Sequence, residues 1–148
     1  RDLHLSIRRQ RQMCIRDRPD VPICVAAGIC DPPKFHKGRE YVGVRHINYR
    51  DSYSAGATLC AEWGTGLQLV SVNDAEEMAW LRENYPGWLY YYLRERAPWI
   101  SMPYANWESG QPSNSDPRGV PQDCAIVGPT GMGDVACDYK APAVICER

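Results

Sequence analysis

Seven cysteines stand in this chain of 148 residues: Cys14, Cys24, Cys30, Cys60, Cys124, Cys137 and Cys146. At that density cysteine does one of two things, forming disulfides in an oxidising compartment or ligating a metal. Structural zinc fits poorly. There is no Cys-x-x-Cys pair, and His4, His36 and His46 lie far in sequence from the downstream cysteines. Disulfides are therefore expected, with one cysteine left over, unpaired or bonded to another chain. Three of the cysteines fall within residues 107–146, a stretch that also holds the tripeptide Gln111-Pro112-Ser113 in a polar loop and Asp134, three residues ahead of Cys137. Taken alone, Gln-Pro-Ser is a common turn sequence, and an aspartate between strands commonly caps a turn.

Catalytic patterns are absent from the sequence. It has no His-Glu-x-x-His, no nucleophile elbow and no phosphate loop. Glu76 and Glu77 do not make an acid–base pair, because adjacent helix residues do not converge on one cleft. A non-enzymatic protein is expected. The length fits one domain, and 44% hydrophobic residues suffice for a core. No apolar run approaches the roughly 18 residues that a membrane span needs. Five Trp and nine Tyr against one Phe favour half-buried positions with one wet edge, as on binding surfaces. Residues 1–18 hold six Arg and two Asp, a charge of +4, so the net −1 leaves −5 on the remainder. The body has no basic patch, and nucleic acid is not an expected partner.

Those residues need a scaffold. Residues 1–18 carry no sustained period and resemble translated sequencing adapter; they read as an artefact or as a disordered basic arm, which makes Cys14 the leftover cysteine. Residues 19–40 are rich in Pro and Gly and read as an N-terminal extension in which Cys24 and Cys30 are close enough to pair; a bond to another chain is the alternative. Tyr41-Val42-Gly43-Val44 is a strand. Asp51 or Ser52 caps a helix carrying Tyr53, Gly56, Ala57 and Cys60 on one face, ended by Gly64 and Gly66. After a short apolar segment, Asn73 with Glu76 signals a capping box. The second helix runs to about Tyr85, with Trp80, Leu81 and Tyr85 buried and Glu76, Glu77, Arg82 and Glu83 solvated. Trp88-Leu89-Tyr90-Tyr91-Tyr92 and Pro98-Trp99-Ile100 read as strands, and residues 109–122 as a long polar loop. Strands at 124–127, 133–137 and 143–147 close the chain. Strand, two helices, then strands make an α+β domain.

This series resembles the C-type lectin-like domain over about residues 41–148. Tyr53, Gly56 and Cys60 stand where the family's first helix has Trp, Ala and Cys. Leu69-Val70-Ser71-Val72 with Glu77 and Trp80-Leu81 resembles its second-helix region, and Trp88-Leu89-Tyr90-Tyr91 its Trp-Ile-Gly-Leu strand. Asn106-Trp107 through Gln111-Pro112-Ser113 matches the long-loop motif. Gly133-Asp134-Val135-Ala136-Cys137 falls at the Trp-Asn-Asp-x-x-Cys strand, and Val144-Ile145-Cys146-Glu147 at the C-terminal end. The resemblance implies two disulfides, Cys60 with Cys146 and Cys124 with Cys137. On the loop-entropy account the first is worth about 4–5 kcal/mol. It does not supply a pairing for Cys24 and Cys30.

In sugar-binding members of the family, oxygen ligands of the long loop and the neighbouring strand hold one Ca²⁺, and a sugar diol completes the six to eight oxygens the ion takes. The proline of the tripeptide is typically cis there. Carried over, the ligand positions are Gln111, Ser113, Gln122 and Asp134, for calcium and carbohydrate alike. Gln at the first position resembles the galactose-type subset rather than the mannose type, but no Trp follows the tripeptide to stack on a sugar; Tyr104 and Trp99 are the nearby aromatics. Ser113 replaces Asn or Asp, Gln122 stands where Glu is common, and Gly133 and Met132 replace the strand Asn and its Trp. With one carboxylate among the four, weak calcium binding is expected, at the millimolar end or beyond. Asp116 and Asp123 are the carboxylates that could add charge. The resemblance implies a secreted carbohydrate-binding lectin, weakly Ca²⁺-dependent. The alternative is the same fold with a degenerate ion site, binding a protein, mineral or other non-sugar partner.

Overall fold

A computed structural model describes residues 21–45 and 52–148. Residues 1–18 with Cys14, and the Asp51 cap, lie outside the described residues. Helix α1 (Val21–Ala26) comes first, followed by strands β1 (Lys34–His36) and β2 (Arg39–Arg45). Helix α2 (Tyr53–Trp63), strand β3 (Gln68–Leu69) and helix α3 (Ala75–Asn84) make the middle of the chain. Strand β4 (Tyr92–Arg96), a 3₁₀ turn (Trp99–Ser101), and strands β5 (Cys124–Val127), β6 (Met132–Val135) and β7 (Ala143–Glu147) complete it. The strands form two antiparallel sheets, β1-β2-β7-β3 and β4-β5-β6.

The central strands of the first sheet, β2 and β7, are buried on both faces, which explains why they read as continuous apolar runs rather than alternating ones. From β7, Val144 and Cys146 enter one core cluster with Val42, Val44, Cys60 and Trp63, while Ile145 enters the other with Tyr41, Leu81 and Leu93. Gly43 is needed for this double packing. A Cβ there would stand 2.6 Å from the Trp88 ring. Since β2 pairs with β7, the first long strand lies beside the end of the chain. Cys60–Cys146 ties α2 to β7, and Cys124–Cys137 joins the start of β5 to the segment after β6.

Several expectations are corrected. A third helix, α1, lies in the N-terminal extension, where Val21 and Cys24, one turn apart, are buried; Cys24 pairs with Cys30 within the chain, the first of the two alternatives. Cys30 bridges Val44, so this staple is fastened to the sheet. The α3 cap is one residue later than the sequence suggests. Asp74 accepts the Glu77 N–H at 2.8 Å, and Glu77 reaches back to the Asn73 N–H, also at 2.8 Å. Glu77 is therefore not on a solvated face; it is 5% exposed and accepts the Tyr41 hydroxyl at 2.6 Å.

The strand expected at Trp88 begins only at Tyr92. Trp88 packs against Tyr85 and Gly43, and Tyr90 adopts a left-handed φ of 63°, so the segment turns before it can pair regularly. Tyr91 and Tyr92 are buried while Tyr90 is exposed. Pro98-Trp99-Ile100 is not a strand but leads into the 3₁₀ turn, where Trp99 packs edge-on against Trp107 at 5.2 Å and Ile100 faces solvent.

Candidate functional site

The long loop rises from the side of β6. Met132 N–H donates to the Asn106 carbonyl at 2.6 Å, and Glu108 N–H to the Met132 carbonyl at 2.8 Å. Gly131 permits this contact, since a Cβ there would lie 2.6 Å from the Asn106 oxygen. The Glu108 carboxylate reaches the β5–β6 turn and accepts the Thr130 N–H at 3.0 Å and its hydroxyl at 2.8 Å. Those bonds hold the Glu108 carboxyl below the ordinary carboxylate range. Gln111 N–H then bonds back to the Glu108 carbonyl at 2.9 Å, and the Gln111–Pro112 peptide is cis, as the resemblance implies.

The outer part of the loop closes on itself. Asp116 Oδ1 accepts the N–H groups of Arg118 at 2.8 Å and Val120 at 2.9 Å, and Gln122 N–H donates to the Asn114 carbonyl at 2.9 Å. Arg118 pairs with Asp116 at 2.7 Å and reaches Asp138 at 3.5 Å. The Asp116 carboxylate is thus committed to the loop's own backbone and to a cation.

The predicted residues gather around Asp134, which projects from β6 into the loop and is 6% exposed; Gln111 and Ser113 bond to it directly and Gln122 joins through Ser113. Asp134 Oδ1 accepts the Ser113 N–H at 2.8 Å and the Ser113 hydroxyl at 3.2 Å; its Oδ2 accepts the Asn114 N–H at 2.6 Å. Its own N–H donates to Gln111 Oε1 at 3.2 Å. The Ser113 hydroxyl also contacts Gln122 Oε1. Gln111, Ser113, Gln122 and Asp134 therefore form one hydrogen-bonded group. Asn114 is the member that sequence reasoning missed. It contributes a backbone N–H, and its left-handed φ of 74° is one that Asn tolerates better than most residues.

This donor set does not fit a calcium ion. Ca²⁺ takes six to eight oxygens and wants carboxylate charge, whereas one carboxylate is present and both its oxygens already accept peptide N–H groups. Those N–H dipoles point at the carboxylate from the loop side. Gln111 Oε1 and the Ser113 hydroxyl are likewise engaged within the group. Among the described residues, no three His, Cys, Asp or Glu side chains gather where they could hold a metal.

No protein-family model matches the sequence, and no curated protein matches it. Solved structures do. The human scavenger receptor C-type lectin carbohydrate-recognition domain is similar with a TM-score of 0.65 at 21% identity, over 78% of this chain and 95% of that one. The cow C-type carbohydrate-recognition domain of CD23, solved in the presence of a GlcNAc2Man3 oligosaccharide, gives 0.65 at 18% identity, over 80% and 93%. Herring type II antifreeze protein gives 0.62 at 18% identity, over 78% and 94%. At these identities the likeness is one of fold. This chain has the C-type lectin-like fold, stapled by three disulfides, and no helix among the described residues is long and apolar enough to cross a membrane.

Proposed function

We propose that residues 41–148 form an extracellular C-type lectin-like binding module, with residues 19–40 as its stapled extension, whose long-loop face recognises a protein, mineral or other surface partner without calcium. The observation that carries this reading is the commitment of Asp134: both oxygens of the one carboxylate in the group accept loop amides, from Ser113 and Asn114. Three disulfides suit an oxidising, extracellular setting. The breadth of the fold supports a non-sugar ligand, since an antifreeze protein shares it. Pull-down of partners in calcium and in chelator tests the reading; equal capture supports it, and capture lost in chelator contradicts it.

A second reading is favoured by one observation, the gathering of Gln111, Ser113, Gln122 and Asp134 at one place. On that reading the domain is a carbohydrate-binding lectin, weakly Ca²⁺-dependent and of galactose type. A glycan array with and without calcium separates the two, and a calcium-dependent galactose signal would favour the lectin.

A further inference from the structure

We infer that the Asp134 carboxylate does within this domain what a bound cation would otherwise do: it is a built-in clamp that holds residues 111–122 in shape, so the loop is organised in the absence of calcium. Three observations converge on it. The carboxylate crosses from β6 to the loop and takes two consecutive peptide N–H groups, one on each oxygen, from Ser113 at 2.8 Å and Asn114 at 2.6 Å. Consecutive N–H groups converging on one anion make a small anion-binding concavity, and here the anion is covalently supplied by the neighbouring strand. Asp134 is itself fixed, paired with Ala125 in the β5–β6 ladder and donating its N–H to Gln111 at 3.2 Å. The strand bearing it is anchored one residue beyond by Val135 opposite Cys124, whose disulfide to Cys137 closes the same end.

The replacements that weaken a calcium site are compatible with the clamp. Ser113 offers a short hydroxyl that bonds back to Asp134 at 3.2 Å rather than a carboxylate that would repel it. Gly133 has no side chain to compete, and the nearest atoms to a Cβ there belong to Gln111 at 3.6 Å. The loop is therefore tied at Gln111, Ser113 and Asn114, all through Asp134.

Amide hydrogen exchange on the unliganded, disulfide-intact domain tests this directly. The Ser113 and Asn114 amides should be protected equally in calcium and in chelator. Asp134→Asn should speed their exchange by about tenfold or more, since bonds to a charged acceptor are lost. Ser113→Ala, which keeps both N–H groups, should leave them protected, and the amides of β5 should stay protected in both variants as the check on folding. Protection that needs calcium, or that survives Asp134→Asn in a folded domain, overturns the clamp. The clamp underlies the calcium-free reading of the site, yet the outcomes separate. A calcium-dependent partner would sink the proposed function while leaving the amide result standing.

Discussion

The Asp134 carboxylate and the Ser113 amide, 21 residues apart in sequence, are joined by a 2.8 Å hydrogen bond that ties the long loop to strand β6. An aspartate placed on a rigid strand and turned onto a loop's backbone is a positioning device whatever the loop binds. It also spends the charge that a calcium ion would need. The account of this domain turns on that competition: a carboxylate whose two oxygens already accept amides has less to offer a divalent ion.

The loop base depends on two glycines in opposite ways. At Gly131 an added Cβ would meet the Asn106 carbonyl at 2.6 Å, against backbone that cannot give. Gly131→Ala should destabilise the domain by about 1–3 kcal/mol, measured by denaturant unfolding. At Gly133 the nearest contact is an ordinary 3.6 Å to a side chain, and Gly133→Ala should change stability by less than about 1 kcal/mol. Equal costs at the two sites would contradict the close approach of loop and strand.

Glu147 sets a pH dependence. It is 4% exposed, and burial raises its carboxyl above the ordinary range against the pull of Arg94 at 2.9 Å, Arg39 at 3.1 Å and the Ser71 amide, with buried Glu77 adding repulsion. A carboxyl raised in the folded state binds its proton more tightly there than in the unfolded chain. Its stabilising contribution is thus complete below its unfolded value and is lost as the pH rises through its folded value. Glu147→Gln lacks that slope. Unfolding across a pH series should show the stability difference moving in the variant's favour from below about pH 4.3 to neutral pH; a constant difference would contradict it.

How far the sequence could be read follows from the kind of signal each feature leaves. Helices α2 and α3 were legible because they are long enough for an apolar stripe and are flanked by the signals at Ser52, Gly64 and Asn73, the last one residue short of the Asp74 cap. Helix α1, of six residues, is too short to show a period. The start of β4 was misread because three consecutive tyrosines offer no alternation; only the packing of Trp88 on Gly43 decides that Tyr90 turns out. Glu77 looked solvated because the hydroxyl that donates to its buried carboxylate lies on Tyr41, in another element. At the site, the four side chains were legible through family resemblance, and they do meet. Asn114 was not, because it acts through a peptide N–H, which every residue but proline carries. Nor could the sequence say that Asp134 would face amides; that depends on the path of the loop.

The most direct test of the central claim is a calorimetric titration of the folded domain with calcium. A single carboxylate already held by two amides, among neutral oxygens, predicts no saturable binding up to the roughly 10⁻³ M range of extracellular calcium modules. A saturable site at or below that range, abolished by Asp134→Asn, would show that the carboxylate leaves its two amides for an ion, and the account given for this loop would be wrong.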